Sequence, residues 1–437
     1  MRRKNKTISF YTLGCRLNQS ETAVIEHTFK EGGYQIVDFE NPADTVVINT
    51  CTVTENGDAD TRRLVNKISR INPQARIALV GCQAQIQKEK LASLANVHWV
   101  VGNAKKMDLK SIIEETERQD QGRPTHLPEV ITPTIPREEF TIPIAGIDRH
   151  HTRANIKIQD GCDFFCSFCE IPYARGRARS RKFDDILKEA NALVSAGHRE
   201  IVITGINVGT YRQNNKCMMD VIEALEQIGP LQRIRISSIE PTTIPEKLLE
   251  KMAKKTKLCR YLHIPLQSGN DQILEAMKRK YQFNEFLTFI RKASEMIPEI
   301  CIGTDVIVGF PGESDELFND TVEKLKSSPI HYFHVFSYSQ RNLAKSRMLR
   351  DVVPGDAVKE RSRILRSLSE RKRRLFYASL VGTTQKVLFE QNKNGLWSGL
   401  TDHYARVMVE STKDLSNCYL DVKLDAVDHT HLLGKLL

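Results

Sequence analysis

The stretch NIKIQDGCDFFCSFC, residues 155–169, decides the interpretation of this chain. It begins as a short β-rich run and ends in three cysteines, Cys162, Cys166 and Cys169, with three and two residues between them. One loop with this spacing can present three sulfurs to a shared metal group. Parallel barrels place their chemistry on the loops that follow their strands. The stretch therefore predicts a metal or cluster site at the mouth of a barrel.

The three thiols leave open which metal group they hold. A structural zinc site needs a fourth cysteine or histidine. The candidates, His150 and His151, precede the strand and would have to fold back to its opposite end. A [4Fe–4S] cluster tolerates three thiolates when an exogenous ligand takes the last iron. We therefore favour an iron–sulfur cluster, with zinc as the alternative.

The pattern around this loop predicts an α/β chain. Six β-rich runs alternate with helical patterns, which is too few for a closed eight-stranded barrel and favours an open, partial one. The runs are NIKIQ, REIVITG, RIRISSI, YLHIPLQ, ICIGTDVIVGF and HYFHVFSY. Upstream, helices alternate with five β-rich runs, as in a parallel sheet covered by helices: TISFYTLG, YQIVDF, TVVINT, ARIALVG and VHWVVG. Downstream, a basic helix leads to four runs that alternate like the strands of a small all-β module: TQKVLFE, LWSGLT, YARVMVES and CYLDVKLDAV.

These patterns divide the chain into four segments. We expect an N-terminal parallel α/β domain in residues 1–116 and a proline-containing linker in 117–149. A partial (β/α)6 barrel is expected in residues 150–375, and a small β-barrel in 376–437.

A second set of cysteines is scattered over the first segment. Cys15, Cys51 and Cys82 each follow a predicted strand. Parallel strands lie about 4.8 Å apart and end at the same edge of a sheet, so these thiols should converge. Separate buried thiols are the alternative. Three unrelated core cysteines are not expected to lie, each in turn, directly after the end of a strand. We therefore expect a second three-thiolate cluster. The remaining cysteines are expected to be inert: Cys217, Cys259, Cys301 and Cys418.

Composition limits the cellular setting and the partners. The 437 residues are 40% hydrophobic and carry a formal charge of +10, which suits a globular protein with a polyanionic partner such as RNA. The chain enters a strand without the apolar region of a signal peptide, and no long apolar run predicts a membrane span. We expect a cytoplasmic monomer whose ten cysteines stay reduced.

Six motifs, in this order, resemble those of the radical S-adenosylmethionine methylthiotransferases: TLGCRLNQSE, INTCTVT, VGCQAQ, KIQDGCDFFCSFCEIPYARGRARSR, HIPLQSGND and TDVIVGFPGE. The resemblance implies two [4Fe–4S] clusters, one on each cysteine set, and each with an open site. One S-adenosylmethionine donates a methyl group to sulfur at the first cluster. A second is cleaved at the barrel cluster into a 5′-deoxyadenosyl radical that removes hydrogen from the substrate. A reductant and a sulfur source are the implied partners.

Three substrates occur in this family: N6-threonylcarbamoyladenosine in tRNA, N6-isopentenyladenosine in tRNA, and an aspartate of a small-subunit ribosomal protein. GCRLNQSE, CTVT followed by DADTRR, and RANIKIQDGC most resemble the first branch, which implies methylthiolation at C2 of the adenosine at tRNA position 37. A non-catalytic, zinc-bearing RNA-binding protein is the alternative from another class. Residues 341–346, RNLAKS, depart from the family pattern, so the resemblance does not define the substrate pocket in this region.

Polar residues at the ends of later barrel strands are candidate contacts of the cofactor. They are Gly205, Asn207, Glu240 and Gln267, and helix capping is the alternative role for such loop residues. Asp305 is better explained as a buried hydrogen-bonding partner.

Basic residues, and a tail that resembles the RNA-binding TRAM domain, predict contact with tRNA phosphates. The candidates are Arg175, Arg179, Arg181, Arg371, Arg373 and Arg374, with Tyr404 as a ring on which a base stacks. A solvated basic face is the alternative for the arginines. For Trp397, base stacking and core packing are equally open.

Overall fold

A computed structural model describes residues 6–53, 55–119, 127–142, 152–254 and 256–437. His150 and His151, the alternative zinc ligands, lie outside the described residues. Among the described helices, none is both long and apolar enough to cross a lipid bilayer.

The N-terminal unit is a parallel sheet with helices on both faces. Its strands are β1 (Thr7–Thr12), β2 (Gln35–Ile36), β3 (Thr45–Thr50), β4 (Arg76–Gly81), β5 (Val97–Val101) and β6 (Glu129–Ile131). Its helices are α1 (Arg16–Glu31), α2 (Glu55–Ile71), α3 (Cys82–Ile86), α4 (Lys88–Ala92) and α5 (Leu109–Gln119). The strand order is β2-β1-β3-β4-β5-β6. The predicted parallel α/β sheet is confirmed, and its sixth strand comes from the segment expected to be a linker.

Alternation along the central strands explains why both faces of this sheet are covered. Val46 and Ile48 of β3 pack in one apolar cluster with Val65 of α2. Val47, which points the other way, packs in a second cluster with Phe29 of α1. A strand buried on both faces is typical of parallel sheets, and its carboxyl edge is then the accessible place for a site.

The second unit is an open barrel. Its strands are β7 (Ala154–Lys157), β8 (Gln159–Asp160), β9 (Arg179–Ser180), β10 (Glu200–Thr204), β11 (Arg212–Gln213), β12 (Lys216–Cys217), β13 (Arg233–Ile236), β14 (Tyr261–His263), β15 (Cys301–Val308) and β16 (Tyr332–Ser337). Its helices are α6 (Ile171–Arg175), α7 (Phe183–Ser195), α8 (Met218–Glu226), α9 (Lys247–Met252), α10 (Asp271–Ala276), α11 (Phe283–Met296) and α12 (Asp315–Ser327).

Six of these strands form the barrel wall as two parallel groups, β7-β10-β13 and β14-β15-β16. Backbone hydrogen bonds join the groups: the Cys259 N–H donates to the Ile234 carbonyl at 2.9 Å, and the Ile239 N–H to the His263 carbonyl at 3.0 Å. β7 and β16 are the outer strands, so the wall stays open between them. The predicted partial barrel of six units is confirmed.

The C-terminal part consists of one long helix and a closed barrel. The helix α13 (Gly355–Leu380) runs past residue 376, where the last segment was expected to begin. The strands are β17 (Thr384–Lys393), β18 (Leu396–Leu400), β19 (Arg406–Glu410), β20 (Tyr419–Asp428) and β21 (His431–Leu436). They close in the order β17-β18-β19-β21-β20. Trp397 lies in the core of this small barrel, which settles its role as packing.

The small barrel packs against the N-terminal ends of the wall strands. Arg233 and Arg235 of β13 donate hydrogen bonds, each of 2.9 Å, to the carbonyls of Leu400 and Asp402 respectively. Glu200 forms ion pairs with both arginines, at 2.6 Å to Arg233 and at 2.7 Å to Arg235. Burial raises the pKa of Glu200, but the surrounding arginines outweigh burial and lower it to about 2. Buried charges that are paired in this way fix the C-terminal module across one end of the open barrel.

Candidate metal centres and the cavity between them

The N-terminal triad, Cys15, Cys51 and Cys82, converges at the carboxyl edge of the first sheet. Cys51 directly follows β3, Cys82 directly follows β4, and Cys15 caps α1 just after β1. These three strands are neighbours in the sheet. Gly14 has φ +91°, and a Cβ there would lie only 2.7 Å from the Cys51 Sγ. Glycine therefore permits the close approach of the two cysteine segments.

The barrel triad, Cys162, Cys166 and Cys169, lies on a single loop after the first wall strand. The Cys169 N–H donates to the Cys166 carbonyl at 3.1 Å, and the Cys162 N–H donates to the Gly176 carbonyl, also at 3.1 Å. Gly161, before the first cysteine, has φ +71°, and a Cβ there would clash with the Arg177 carbonyl at 2.1 Å. The loop is thus shaped by local backbone contacts.

Neither cysteine triad has its three sulfurs gathered as closely as a single metal ion requires. Burial raises the pKa of the Cys51 thiol to about 12 and that of Cys162 to about 11, so their thiolate forms need a cationic ligand. Among the described residues, one trio of His, Cys, Asp or Glu has all its ligand atoms within 4.8 Å of one another, and it contains no cysteine. Three sulfurs on one zinc ion would lie about 4 Å apart. The spacing of the thiols therefore disfavours zinc.

A buried ionic network lies between the N-terminal sheet and the barrel. Glu21 of α1 pairs with Arg175 at 2.9 Å, with Lys157 at 2.7 Å, and also with Lys106. Asp160 pairs with Lys157 at 2.7 Å and with Arg175 at 3.0 Å. All five side chains are buried. Burial raises the pKa of Glu21, but the three cations outweigh burial and hold it well below its usual value.

The network carries more positive than negative charge. Arg179 adds a fourth cation, 3.3 Å from Asp160, so four cations face two carboxylates. The Arg175 Nε has no hydrogen-bond partner among the described residues. Burial lowers the pKa of Arg175, but the negative charges of Cys82, Glu21 and Asp160 outweigh burial and raise it. The Asn103 side-chain amide donates to the Cys82 Sγ at 3.6 Å. This surplus positive charge suits an anionic group held by three thiolates.

Arg341 forms a second link between the two triads. Its guanidinium lies 2.9 Å from Asp58 and 3.1 Å from Glu170, and it donates to the Thr52 Oγ1 at 2.6 Å. Thr52 follows Cys51, and Glu170 follows Cys169. The first residue of the segment that departs from the family pattern therefore ties the two cysteine loops together.

Sequence reasoning missed most of these charged residues: Glu21, Lys106, Lys157, Asp160, Glu170 and Arg341. Position beside the cysteines offered a partial signal, since Asp160 and Glu170 flank the barrel loop and Glu21 lies in the quoted TLGCRLNQSE motif. Nothing in the sequence indicated that they pair with one another.

Arg279 lies beside the barrel triad. Its guanidinium donates to the Cys166 Sγ at 3.3 Å and pairs with Glu240. Burial raises the pKa of Glu240, although the charge of Arg279 works against this rise. The carboxylate of Glu240, a candidate cofactor contact, therefore forms an ion pair with Arg279 in this structure.

The other candidate cofactor contacts have different surroundings. Gly205 lines a cavity of about 660 Å³, called the main cavity below, and Gln267, with φ +75°, lines a smaller one. Asn207 is buried, and its Oδ1 accepts a hydrogen bond of 2.8 Å from Thr243. That these residues contact the cofactor stays a prediction.

Two cavities adjoin at Asp305, which lines both. The main cavity, of about 660 Å³, lies inside the open barrel and is reached by Cys15 from the first unit and by Tyr404 from the C-terminal module. The smaller cavity, of about 190 Å³, is lined by Phe168, which lies between two cysteines of the barrel loop. Asp305 also forms an ion pair of 3.0 Å with His263. The adjoining cavities thus extend from one triad to the loop of the other.

Two of the arginines predicted to contact RNA, Arg175 and Arg181, are fully buried, so the prediction was wrong for them. Arg175 belongs to the buried network described above. Arg179 pairs with Asp160 but is only half-buried, and its contact with RNA stays a prediction. Arg181 is fully buried, pairs with Asp185 at 2.6 Å and also pairs with Glu189. These arginines form ion pairs with carboxylates inside the protein and do not form a solvated basic face.

The remaining candidates for RNA contact are differently placed. Arg371 and Arg374 are exposed on α13, and Arg373 is half-buried. Tyr404 faces the main cavity, where its ring centroid lies 4.9 Å from that of Tyr261. A base stacking on Tyr404 would therefore have to enter this cavity. The contacts of the three α13 arginines with RNA stay a prediction.

Comparisons with known proteins match both cysteine-bearing units. The radical SAM superfamily matches residues 156–325, and the uncharacterized protein family UPF0004 matches residues 7–102. The threonylcarbamoyladenosine tRNA methylthiotransferase MtaB of Bacillus subtilis is 35% identical over 96% of this chain and 93% of its own length. The protein of the same name from Aquifex aeolicus is 37% identical over 93% and 98%. The chain belongs to the methylthiotransferase family of radical SAM enzymes.

This methylthiotransferase also has the expected fold neighbours. The radical S-adenosylmethionine methyltransferase TsrM from Kitasatospora setae superposes with a TM-score of 0.54 at 15% identity, over 76% of this chain and 75% of that one. That likeness concerns the fold alone. Family membership makes the chain a transferase whose cofactors are S-adenosylmethionine and two [4Fe–4S] clusters. The non-catalytic zinc protein considered from the sequence is thereby excluded.

Proposed function

We propose that this methylthiotransferase inserts a methylthio group at C2 of N6-threonylcarbamoyladenosine at position 37 of tRNA. The relatives that carry this activity in their names match nearly the full chain. The observation that carries the proposal is the pair of cavities that share Asp305, one reaching Cys15 and the other reaching Phe168. A single nucleoside placed at their junction would be accessible from both triads.

The six cysteines are the proposed cluster ligands, three for each cluster. When bound, the clusters and S-adenosylmethionine supply methyl transfer to sulfur and radical removal of hydrogen from the substrate carbon. The protein's own contribution is positional. The buried network and Arg341 hold the two cysteine-bearing units in fixed register, and the C-terminal module covers one end of the barrel cavity and limits the entry of water.

The character of the main cavity favours the threonylcarbamoyl substrate. Its wall is formed mostly by polar side chains, among them Arg16, Asn155, Ser238 and His334. A threonylcarbamoyl group carries a carboxylate, a hydroxyl and amide groups, whereas an isopentenyl group carries none of these. Buried polar groups left unpaired by an apolar ligand would cost binding energy. The isopentenyladenosine and ribosomal-protein alternatives are therefore less well matched.

The proposed partners follow from this activity. Arg371, Arg373 and Arg374 on α13 are the proposed phosphate contacts for tRNA. A reductant and a sulfur source are required, and a cytoplasmic location would supply both together with tRNA. We propose that the enzyme acts as a monomer, because all three units that line the cavity come from one chain.

Nucleoside mass spectrometry of tRNA tests this function. In cells that lack the gene, methylthio-threonylcarbamoyladenosine should disappear, its unthiolated precursor should accumulate, and methylthio-isopentenyladenosine should be unchanged. Restoring the gene should reverse the loss, whereas restoring a Cys51→Ala gene should not. Unchanged methylthio-threonylcarbamoyladenosine in the deletion strain would exclude the proposed substrate.

A further inference from the structure

A cation without an acidic partner faces the main cavity. Arg16 follows Cys15 directly and lines the cavity wall. Its guanidinium donates a hydrogen bond to the Tyr404 hydroxyl and lies 5.3 Å from the centre of that ring. Within the part of the chain that the structure describes, no carboxylate forms an ion pair with Arg16. Arg16 therefore has no direct acidic partner among the described residues, although Glu390 and Asp305 line the same cavity.

The other arginines around Tyr404 are already paired. Arg153 lies 5.6 Å from the Tyr404 ring centre and pairs with Glu390 at 2.5 Å. Arg235 lies 5.0 Å from the same ring and pairs with Glu200 at 2.7 Å. Of the three guanidiniums that surround this tyrosine, Arg16 is the one available to a ligand.

The surroundings of Tyr404 favour negative charge. Burial raises the pKa of the Tyr404 phenol, but the charges of Arg16, Arg153 and Arg235 outweigh burial and hold it below its usual value. The same potential acts on any group that enters this part of the cavity. A carboxylate would be stabilised here, whereas an apolar or neutral group would leave the arginine desolvated without a partner.

Arg16 lies next to Cys15 in the sequence, so the positive electrostatic potential around Tyr404 extends to the N-terminal triad. Because Arg16 is bonded to Cys15, a base presented to the N-terminal triad lies beside the arginine. Tyr404 comes from the C-terminal module, and its hydroxyl accepts a hydrogen bond from the guanidinium. Both residues line the cavity that a substituent extending from the base into the barrel would enter.

We propose that Arg16, positioned by Tyr404, binds the carboxylate of the threonylcarbamoyl group and thereby selects this substrate over adenosines with neutral or apolar N6 substituents. The inference rests on the proposed function and assigns a specificity residue to it. Arginine suits the task because its planar fork matches both oxygens of a carboxylate.

The test compares two anticodon stem-loop RNAs that differ at a single group. One carries N6-threonylcarbamoyladenosine at position 37, and the other carries the corresponding threoninamide, in which the carboxylate becomes a neutral amide. For the reconstituted wild-type enzyme, we expect kcat/KM to favour the acid by about tenfold to a hundredfold. Arg16→Gln should lower this ratio to about one, mainly by slowing reaction of the acid. Arg16→Lys should give an intermediate ratio, because it keeps the charge and loses the fork.

Controls separate recognition from damage to the neighbouring cluster. Arg291→Gln removes one exposed arginine on the outer helix α11 and should leave the ratio unchanged. Iron content and anisotropy-measured binding of both RNAs are recorded for every variant. Tyr404→Phe removes the hydroxyl that holds Arg16 without altering the chain beside Cys15, and it should reduce the ratio by about threefold to tenfold. If Arg16→Gln loses iron, the ratio of Tyr404→Phe decides.

The outcomes distinguish the inference from the function on which it rests. Equal turnover of acid and amide by the wild-type enzyme, or an unchanged ratio in both Arg16→Gln and Tyr404→Phe, would overturn the role of Arg16 and leave the activity intact. Failure of the wild-type enzyme to modify the acid, combined with turnover of an isopentenyladenosine stem-loop, would overturn the proposed function itself.

Discussion

The two triads are assembled in different ways. The barrel triad lies on one loop, whose shape is set by short-range backbone hydrogen bonds and by Gly161. The N-terminal triad comes from the ends of three separate strands and depends on the order of strands in the sheet. The first arrangement is encoded locally, whereas the second exists only once the whole N-terminal unit has folded.

Their electrostatic surroundings differ as well. Beside the barrel triad, the Arg279 guanidinium donates to the Cys166 Sγ and is already paired with Glu240. The N-terminal triad lies beside a buried network in which four cations face two carboxylates. Surplus buried positive charge is costly unless an anion compensates it. The N-terminal centre is therefore the one suited to extra negative charge, such as that of a sulfur ligand added to three thiolates.

The largest expected effects separate the chemistry of the two triads. Cys162→Ala should abolish both the reductive cleavage of S-adenosylmethionine and product formation, because the barrel centre initiates the reaction. Cys51→Ala should retain cleavage while losing methylthio transfer. Chromatography of 5′-deoxyadenosine and mass spectrometry of the nucleoside measure the two steps, and iron content should fall by about half in each variant.

A third cysteine provides the matched control. Cys217→Ser keeps a capping side chain at the start of α8 and should leave both steps intact. Normal methylthio transfer by the Cys51→Ala enzyme would show that the N-terminal triad does not hold a required cluster.

The next largest effect concerns stability. Glu21→Gln leaves Arg175, Lys106 and Lys157 without their shared carboxylate, and should destabilise the cluster-free protein by about 3–5 kcal/mol. Glu240→Gln leaves a single buried cation, Arg279, without its carboxylate, and should cost less than Glu21→Gln, about 1–2 kcal/mol. Urea unfolding at neutral pH measures both. Similar losses in the two variants would contradict the electrostatic difference between the triads.

The same carboxylates should respond to pH with opposite signs. The folded-state pKa of Glu21 lies well below 4.5, so its contribution to stability is full above that pH and is lost as the pH falls. The folded-state pKa of Glu240 is raised above 4.5, so its contribution is present below that pH and is lost as the pH rises through the folded value.

Urea midpoints of the cluster-free protein between pH 4 and pH 7 check this difference. Relative to the wild type, Glu21→Gln should flatten the loss of stability on the acid side, whereas Glu240→Gln should steepen it. A shift of both curves in one direction would mean that the two sites do not differ as described.

The smallest expected effect is on tRNA binding, and it distinguishes the buried arginines of the barrel from the exposed arginines of α13. Arg374→Gln on the exposed face of α13 should weaken tRNA binding by a few-fold and reduce the slope of log affinity against log salt by about one. Arg181→Lys, inside the barrel, should change neither quantity. Filter binding at several salt concentrations would measure both, and an equal loss in the two variants would contradict the inward placement of Arg181.

Much of the fold was predictable because strong apolar runs identify strands wherever they are buried. The five main strands of the first sheet and the six wall strands of the barrel were all predicted. β6 has only three residues and lies in a proline-containing polar segment. It is too short to show the alternation of apolar and polar residues that identifies a strand. The fifth strand of the small barrel, β21, was missed for a similar reason, since few of its residues are buried.

The candidate centres were predictable only in part. Position after a strand was enough to bring Cys15, Cys51 and Cys82 together, because topology alone decides where parallel strands end. The charge network was not predictable, because Glu21 and Arg175 are far apart in the sequence and an isolated arginine is usually exposed. Whether a charged residue is buried depends on a partner that only the tertiary structure reveals.

Iron stoichiometry and Mössbauer spectroscopy of anaerobically reconstituted protein test the central claim most directly. Two three-thiolate centres predict about eight irons per chain, present as two [4Fe–4S] clusters that each have one distinct iron. S-adenosylmethionine should perturb the distinct iron of the barrel cluster in the wild-type protein, and the signal of that iron should be missing from the Cys162→Ala protein. About four irons per chain, or zinc in place of iron at either triad, would contradict the account.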